Sequence, residues 1–213
     1  MGKQFFLLIH LILAVTANIF SQTPGKADSL VTNYVHIFDH YSAISANVIG
    51  FSFKNRDTLD HFNWQSPKVS TFEKADKWEY YVKLTIPESI LSNSKGLWCT
   101  AYVLNGKDTI EQEYGGTSLS TIKLILKSDP QGAESFLIPN RIWNDKFENT
   151  NWQQTGVLDK YQVSTSNTNT HVFVDETVYV VVFKKGNKYK KIIHRTKPAQ
   201  VENIQTVSLT FDE

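Results

Sequence analysis

The stretch "KWEYYVKLTIP", residues 77–87, decides the fold because apolar and polar side chains alternate along it. A period of two residues is that of a β-strand with one buried face. Pro87 closes the stretch, and proline lacks the N–H that a strand ladder requires. We therefore predict a strand that ends at Pro87, with these side chains on its buried face: Trp78, Tyr80, Val82, Leu84 and Ile86.

The same alternation recurs along most of the chain. Asn105-Gly106 lies between two extended runs within 97–114, and Lys185-Gly186-Asn187 lies between two more, so each predicts a β-hairpin. Many strands with turn residues every 8–12 positions, about eleven strands here, are typical of a sandwich. The fold class predicted is mainly β and antiparallel, with one large or two small immunoglobulin-like or jelly-roll units. Further strands are predicted at 47–54, 119–127, 135–143, 157–163, 171–174, 177–184, 188–196 and 204–211.

One segment near the N-terminus has a longer period. Apolar side chains recur there at spacings of three and four, which indicates an amphipathic helix. Asp28 or Ser29 would be its N-cap, and His36 and His40 would lie on its polar side. The side chains that form the apolar stripe are Val31, Tyr34, Val35, Phe38 and Tyr41.

The N-terminus itself is predicted to be a signal peptide, residues 1–21. Lys3 precedes an apolar core at 5–15, and more polar, small residues follow it. That core is shorter than the roughly 20 residues of a spanning helix, so we expect a soluble mature chain without a transmembrane segment. Cleavage is placed after Ser21, with Ala17 as the second choice.

The end of this signal, Ser21 followed by Gln22, is similar to that of exported proteins of the Bacteroidota. The richness of the chain in Asn, Lys and Ile agrees with that resemblance. The resemblance covers the signal and the composition only. It implies a periplasmic, surface or secreted location and no particular activity.

A possible domain boundary lies at "SDPQG", residues 128–132, where turn-forming residues cluster. It would separate a helix plus β unit at 22–127 from a β unit at 133–213. A single domain is the alternative, because a chain of about 190 residues can bury one large core.

Charge and cysteine content exclude some partners and some chemistry. The chain has 22 Lys and Arg against 21 Asp and Glu, so no overall field attracts nucleic acid, and none is predicted as a partner. Seven basic residues without an acid do fall between Lys184 and Lys197. We favour protection of a sheet edge as their role over binding of an anionic polymer.

Cys99 is the only cysteine, which excludes an intrachain disulfide, and it is predicted to be buried and inert.

A metal site is the first chemical hypothesis. His36 and His40 would share one face of the predicted helix, and His61 with Asp60 or Asp39 could complete a zinc site. The solvated face of an amphipathic helix explains the two histidines equally simply, and we favour it. No metal and no cofactor is predicted.

The segment "RIWNDKFENTNWQQTG", residues 141–156, carries the second hypothesis. Aromatic rings can stack on the apolar faces of sugars while amides bind their hydroxyl groups. The alternative is that both Trp rings fill the end of the sandwich while the amides build turns. The candidate ligand-binding residues are Trp143, Trp152, Asn149, Asn151 and Gln153.

The function predicted is therefore that of an exported binding protein of a bacterial cell envelope, with glycan as the ligand to test first. No catalytic residue is assigned. One alternative is a structural or assembly component of the envelope that binds protein partners. The other is a small metal-dependent hydrolase that uses His36, His40 and His61.

Overall fold

The computed structural model describes residues 29–38, 47–56, 64–76, 79–93, 96–164 and 170–212. Within these ranges the chain is mainly β, as predicted, with two short α-helices and one 3-10 turn. The helices are α1 (Glu88–Asn93) and α2 (Asn140–Lys146), and the 3-10 turn is Asp159–Tyr161. The strands are β1 (Leu30–Phe38), β2 (Val48–Asn55), β3 (Phe72–Asp76), β4 (Glu79–Pro87), β5 (Leu97–Asn105), β6 (Asp108–Thr117), β7 (Ile122–Asp129), β8 (Glu134–Pro139), β9 (Gln162–Ser164), β10 (Thr170–Val174), β11 (Val178–Lys185), β12 (Lys188–Arg195) and β13 (Ile204–Thr210).

The strands of the described ranges form three sheets. The largest has the order β13-β7-β10-β1-β4-β3, the second β12-β11-β8-β9, and the third β2-β5-β6. Most neighbouring strands are antiparallel, whereas β1 with β10 and β7 with β13 are parallel. The arrangement confirms the predicted sandwich-like fold.

The six-stranded sheet lies between the other two. One face packs Val35, Ile37 and Val82 against Phe51 and Phe53 of the three-stranded sheet. The opposite face packs on the four-stranded sheet through Tyr34, Leu124, Val172 and Val207, which meet Leu137, Val181 and Phe183. Both faces of the six-stranded sheet therefore lie in hydrophobic cores.

The predicted N-terminal helix is wrong, because residues 30–38 form the strand β1. This strand pairs along its whole length with β4 and also with β10. Val35 and Tyr34 enter different cores on opposite faces of the sheet. In a strand buried on both faces, apolar side chains need not alternate with polar ones. In β1 they fall at Val31, Tyr34, Val35 and Phe38, which produced the spacings of three and four.

Both predicted hairpins are confirmed. Gly106-Lys107 joins β5 to β6, and Gly186-Asn187 joins β11 to β12. Gly106 and Gly186 have φ values of 63° and 58°. This left-handed conformation is the one that two-residue hairpin turns require and that glycine adopts without strain.

Two of the predicted strands are shorter than expected. The strand predicted at 135–143 ends at Pro139, and α2 follows at once. Most of the strand predicted at 157–163 is instead the 3-10 turn and its approach, and only β9 is extended. Pro139 explains the first change, since it cannot donate to the ladder but is tolerated just before a helix.

A third core covers the outer face of the four-stranded sheet. Ile138, Val180 and Val182 of that sheet lie under side chains of residues 140–161. The covering side chains are Ile142, Trp143, Phe147, Leu158 and Tyr161. The Trp- and amide-rich segment, residues 141–156, is therefore packed in part on the four-stranded sheet.

In the described part of the chain, neither helix is long and apolar enough to cross a membrane. The six-stranded sheet takes β1, β3, β4 and β7 from before residues 128–132 and β10 and β13 from after them. The domain boundary predicted there stays a prediction.

Candidate functional site

Trp143 lies inside the third core and is not available to stack on a sugar. It is 3% exposed, and its ring contacts those of Phe147 and Trp152 at centroid distances of 5.6 and 5.1 Å. Trp143 and Phe147 are four residues apart and so share the inner face of the chain at α2. Trp143 is therefore a core side chain, although it lies in a stretch rich in amides.

Trp152 lies at the border of this core and is half-buried. Its ring meets Trp143 on one side and Tyr189 on the other, edge to face, the latter at 5.8 Å. The predicted amides Asn149, Asn151 and Gln153 are exposed beside it in the chain. Four of the five predicted residues therefore reach the surface.

The hairpin of β11 and β12, called the basic hairpin for its lysines, meets this segment although the two are distant in the sequence. Alternate residues of β12 point to the same side of the sheet, and Tyr189 and Lys191 point toward α2. The Nζ atom of Lys191 lies 4.7 Å from the centroid of the Trp143 ring, within the range of a cation–π contact. We call the combined area the Trp152 surface; it comprises Asn149, Asn151, Trp152, Gln153, Tyr189 and Lys191.

The position of β12 agrees with the favoured role of its lysines. It is an edge strand of the four-stranded sheet. Lysine side chains on an edge strand disfavour pairing with another chain. Edge protection and a part in the Trp152 surface are compatible, because Lys191 is exposed while it covers Trp143.

An ion-pair cluster ties the segment under the Trp152 surface to the six-stranded sheet. Glu73 of β3 binds Lys146, at the end of α2, and Lys160 in the 3-10 turn. Burial would raise the pKa of the Glu73 carboxyl, but hydrogen bonds and charge from the two lysines outweigh it and hold the pKa below its usual value. Glu73 is therefore a buried carboxylate with two cationic partners.

A second cluster surrounds Glu79, which is 6% exposed. Arg141 of α2 binds Glu79 at 2.5 Å and also binds Asp76. The Tyr81 hydroxyl donates to the Oε1 atom of Glu79 at 2.7 Å, and the Nε2 atom of His36 lies 3.0 Å from the same oxygen. Burial, and then the Glu79 carboxylate, raise the pKa of Tyr81. The tyrosine therefore stays a neutral donor.

The structure gives His36 a different setting from the one predicted. It lies on β1, with its ring stacked on Tyr81 at a centroid distance of 4.6 Å. His40 and His61 lie outside the described residues, as do Asp39 and Asp60. Among the residues that are described, no three His, Cys, Asp or Glu side chains come together as metal ligands.

Cys99 is buried in β5, in the core between the three-stranded and six-stranded sheets. Burial raises the pKa of its thiol to about 12. A thiolate is the reactive form of cysteine, so the thiol is inert near neutral pH.

The charged residues of the two clusters carry no local sequence motif. Glu73, Glu79 and Arg141 come from β3, β4 and α2 and meet only through strand pairing and the packing of α2. The one signal was the position of Glu79 on the face of β4 that also carries Tyr81 and Lys83. That face has polar side chains in the sequence, and the structure places it under residues 140–161.

No family model matches the chain, and no curated protein and no solved structure matches it at a significant level. The function is therefore argued from the residues of the Trp152 surface and the clusters beneath it.

Proposed function

We propose that the protein is an exported binding protein and that the Trp152 surface binds a glycan. The proposal depends on one observation. The amide-rich stretch and the basic hairpin, which are distant in the sequence, lie together on one surface. A half-buried Trp beside three exposed amides and a lysine supplies an apolar platform together with hydrogen-bond donors and acceptors. Sugars present matching apolar C–H faces and hydroxyl groups.

The support beneath the surface favours binding by a preformed site. Trp152 is held between two aromatic rings, and the segment that carries it is fixed to the six-stranded sheet through Glu73 and Glu79. A site ordered before binding loses less conformational entropy when the ligand arrives. This is the arrangement expected of a binding module.

The test is calorimetric titration of the protein without residues 1–21 against a panel of neutral and acidic oligosaccharides. We expect Trp152→Ala to weaken binding about tenfold or more, since an aromatic anchor at the centre of a site carries much of its free energy. Asn151→Ala and Gln153→Ala are expected to have smaller effects. Trp143→Ala is unsuitable, because it would leave a cavity in the third core.

Trp98→Ala is the matched control. Trp98 is also a partly exposed tryptophan, at 37%, but it lies on β5 in the three-stranded sheet. It should leave binding unchanged. Equal affinities of the wild type and the Trp152→Ala variant would refute the proposal, as would loss of binding in the Trp98→Ala variant alone.

Export belongs to the proposal as well. The expected signal peptide, residues 1–21, lies outside the described residues, so its support is the sequence pattern. Fractionation of cells that produce the full chain should place a shortened protein, beginning at Gln22, outside the cytoplasm.

A protein partner in the cell envelope is the second candidate. Val201 and Ile204, between β12 and the start of β13, are 71% and 52% exposed. Exposed aliphatic side chains that lie close in the chain favour contact with another protein. Cross-linking in the native envelope, with Val201→Ser as the disrupting variant, distinguishes this candidate from glycan binding.

A further inference from the structure

A narrow cleft opens between β4 and the 3-10 turn, beside the segment that carries Trp152. Its walls include Tyr34 of β1, Tyr81 and Lys83 of β4, and Lys160 and Tyr161 of the turn. The cleft is open at its mouth, but its interior has room for little more than one water-sized group. It can therefore admit a small substituent and not a whole sugar ring.

Lys83 places a half-buried ammonium group at this cleft. Its Nζ atom donates to the backbone carbonyl of Gln162, and no described carboxylate pairs with it. Burial lowers the pKa of Lys83. A cation in this setting is partly stripped of water, and an anion would restore the lost interactions.

The charges around the cleft add up to a positive site. Glu73 is the carboxylate on its described wall, and Lys146 and Lys160 already bind it. Lys83 is therefore a cation on this wall that has no carboxylate partner among the described residues. The field in the cleft favours a negative group.

Tyr161 supplies a buried hydroxyl in the same wall. The residue is 3% exposed, and its hydroxyl has no partner among the described residues within hydrogen-bonding distance and angle. Glu73 approaches the hydroxyl in a contact outside that distance or angle, and burial, then the charge of Glu73 and this weak hydrogen bond, raise the pKa of Tyr161. A buried hydroxyl usually has a well-formed hydrogen bond, so Tyr161 can still donate to a group that enters the cleft.

The cleft and the Trp152 surface belong to one aromatic array. Tyr161 contacts Phe147 at a centroid distance of 5.6 Å, and Phe147 contacts Trp143, which in turn contacts Trp152. The cleft and the Trp152 surface are therefore linked through buried aromatic side chains.

We propose that this cleft is an anion subsite that receives the carboxylate of an acidic sugar, with Lys83 and Tyr161 as its donors. Two donors match the two oxygens of a planar carboxylate. Because the interior holds little more than one water-sized group, one carboxylate oxygen enters it while the rest of the group stays at the open mouth. The inference rests on the proposed function for the identity of the sugar, whereas carboxylate binding in the cleft is testable alone.

The experiment is an NMR titration of the protein without residues 1–21 with glucuronate and, separately, with glucose at equal ionic strength. Glucuronate should shift the signals of Tyr161 and Lys83, and glucose should not. Lys83→Met should weaken glucuronate binding about 10- to 100-fold, the effect of one charged hydrogen bond. Tyr161→Phe keeps the ring and should weaken it about three- to tenfold.

Lys83→Arg keeps the charge and should retain part of the affinity. The control is Lys107→Met, in the turn between β5 and β6, which should change nothing. Urea unfolding of each variant separates loss of binding from loss of fold. Equal shifts with glucose and glucuronate, or full glucuronate affinity in a folded Lys83→Met variant, overturn the inference.

The two proposals can fail separately. If Trp152→Ala abolishes oligosaccharide binding while Lys83→Met leaves a preference for acidic over neutral oligosaccharides intact, the subsite is wrong and the Trp152 surface stands. If no oligosaccharide binds but glucuronate still shifts Lys83 and Tyr161, the proposed function is wrong and the subsite stands.

Discussion

Cys99 shows how one buried side chain makes stability depend on pH. Its thiol has a pKa of about 12 in the folded protein, against about 8.5 in an unfolded chain. Between these values the unfolded chain releases the proton and the folded protein keeps it. The free energy of unfolding therefore falls as the pH rises, by up to about 1.4 kcal/mol per unit from this group alone.

The prediction is a difference between the wild type and Cys99→Ala. The variant is less stable at pH 8, because it leaves a small cavity in the core. Its stability should fall less steeply above pH 9, since one proton fewer is released on unfolding. Urea unfolding from pH 8 to 10.5 measures how the free energy of unfolding changes with pH in the wild type and in the variant. Buried tyrosines such as Tyr34 contribute equally to both proteins. Parallel curves would contradict the assigned pKa.

Trp143 and Trp152 show what the sequence leaves undecided about single residues. Both lie in the same polar stretch, but one is buried and the other half-buried. The difference arises because α2 starts directly after Pro139 and turns Trp143 inward. The sequence therefore identified the segment and its exposed amides but could not tell which ring is accessible.

At the scale of elements, α2 is fixed to the six-stranded sheet by a charged contact that can be tested directly. Arg141 of α2 is 54% exposed, and its partner Glu79 of β4 is 8% exposed in its side chain. Removing the charge of a buried carboxylate leaves its partners unpaired, and water at the arginine reduces that cost. We expect Glu79→Gln to lower the free energy of unfolding by about 1–3 kcal/mol.

An exposed pair of the same chemistry is the control. Lys197 and Glu202 are 62% and 42% exposed, so Glu202→Gln should change stability by less than about 0.5 kcal/mol. Urea unfolding at pH 7 measures both variants. An equal, small effect of the two substitutions would show that the Glu79 cluster does not hold α2.

Strand β1 shows why most elements were predictable and this one was not. Strands with one face in a core and one partly exposed, such as β5, alternate in sequence and were identified. In β1 even the polar Asn33 is fully buried, because its side-chain amide hydrogen-bonds to the backbone of Ser120 at 2.9 and 3.2 Å. A sequence pattern contains no sign of such a distant partner.

The same limit applies to the proposed sites. The Trp and amide stretch and the basic hairpin were each visible in the sequence because their residues are neighbours in the chain. Their meeting at Tyr189 and Trp152, and the cleft at Lys83 and Tyr161, depend on strand pairing and on the packing of residues 140–161. Local periodicity carries no information on either.

At the scale of the whole molecule, the six-stranded sheet joins the two halves of the chain. β1 and β7 both pair with β10, and β7 also pairs with β13, so hydrogen bonds run across the predicted boundary at residues 128–132. The second core likewise contains Tyr34 and Leu124 from the first half and Leu137 and Val181 from the second. Separation of the halves would expose that core and leave strand edges unpaired.

We therefore expect residues 22–127 and residues 133–213 not to fold when each is produced alone, and the full mature chain to unfold in a single cooperative transition. Circular dichroism during heating and NMR of the two fragments test this, with the full chain as the control. Each fragment should give a poorly dispersed spectrum and no sharp transition. Each lacks strands and second-core side chains that the other supplies, and what remains cannot offset the entropy of ordering the chain. Mixing the fragments should restore dispersed signals if the shared sheet drives folding. A fragment that folds alone would instead establish a domain border at 128–132, and the sheet pairing across it would then be a contact between two stable units.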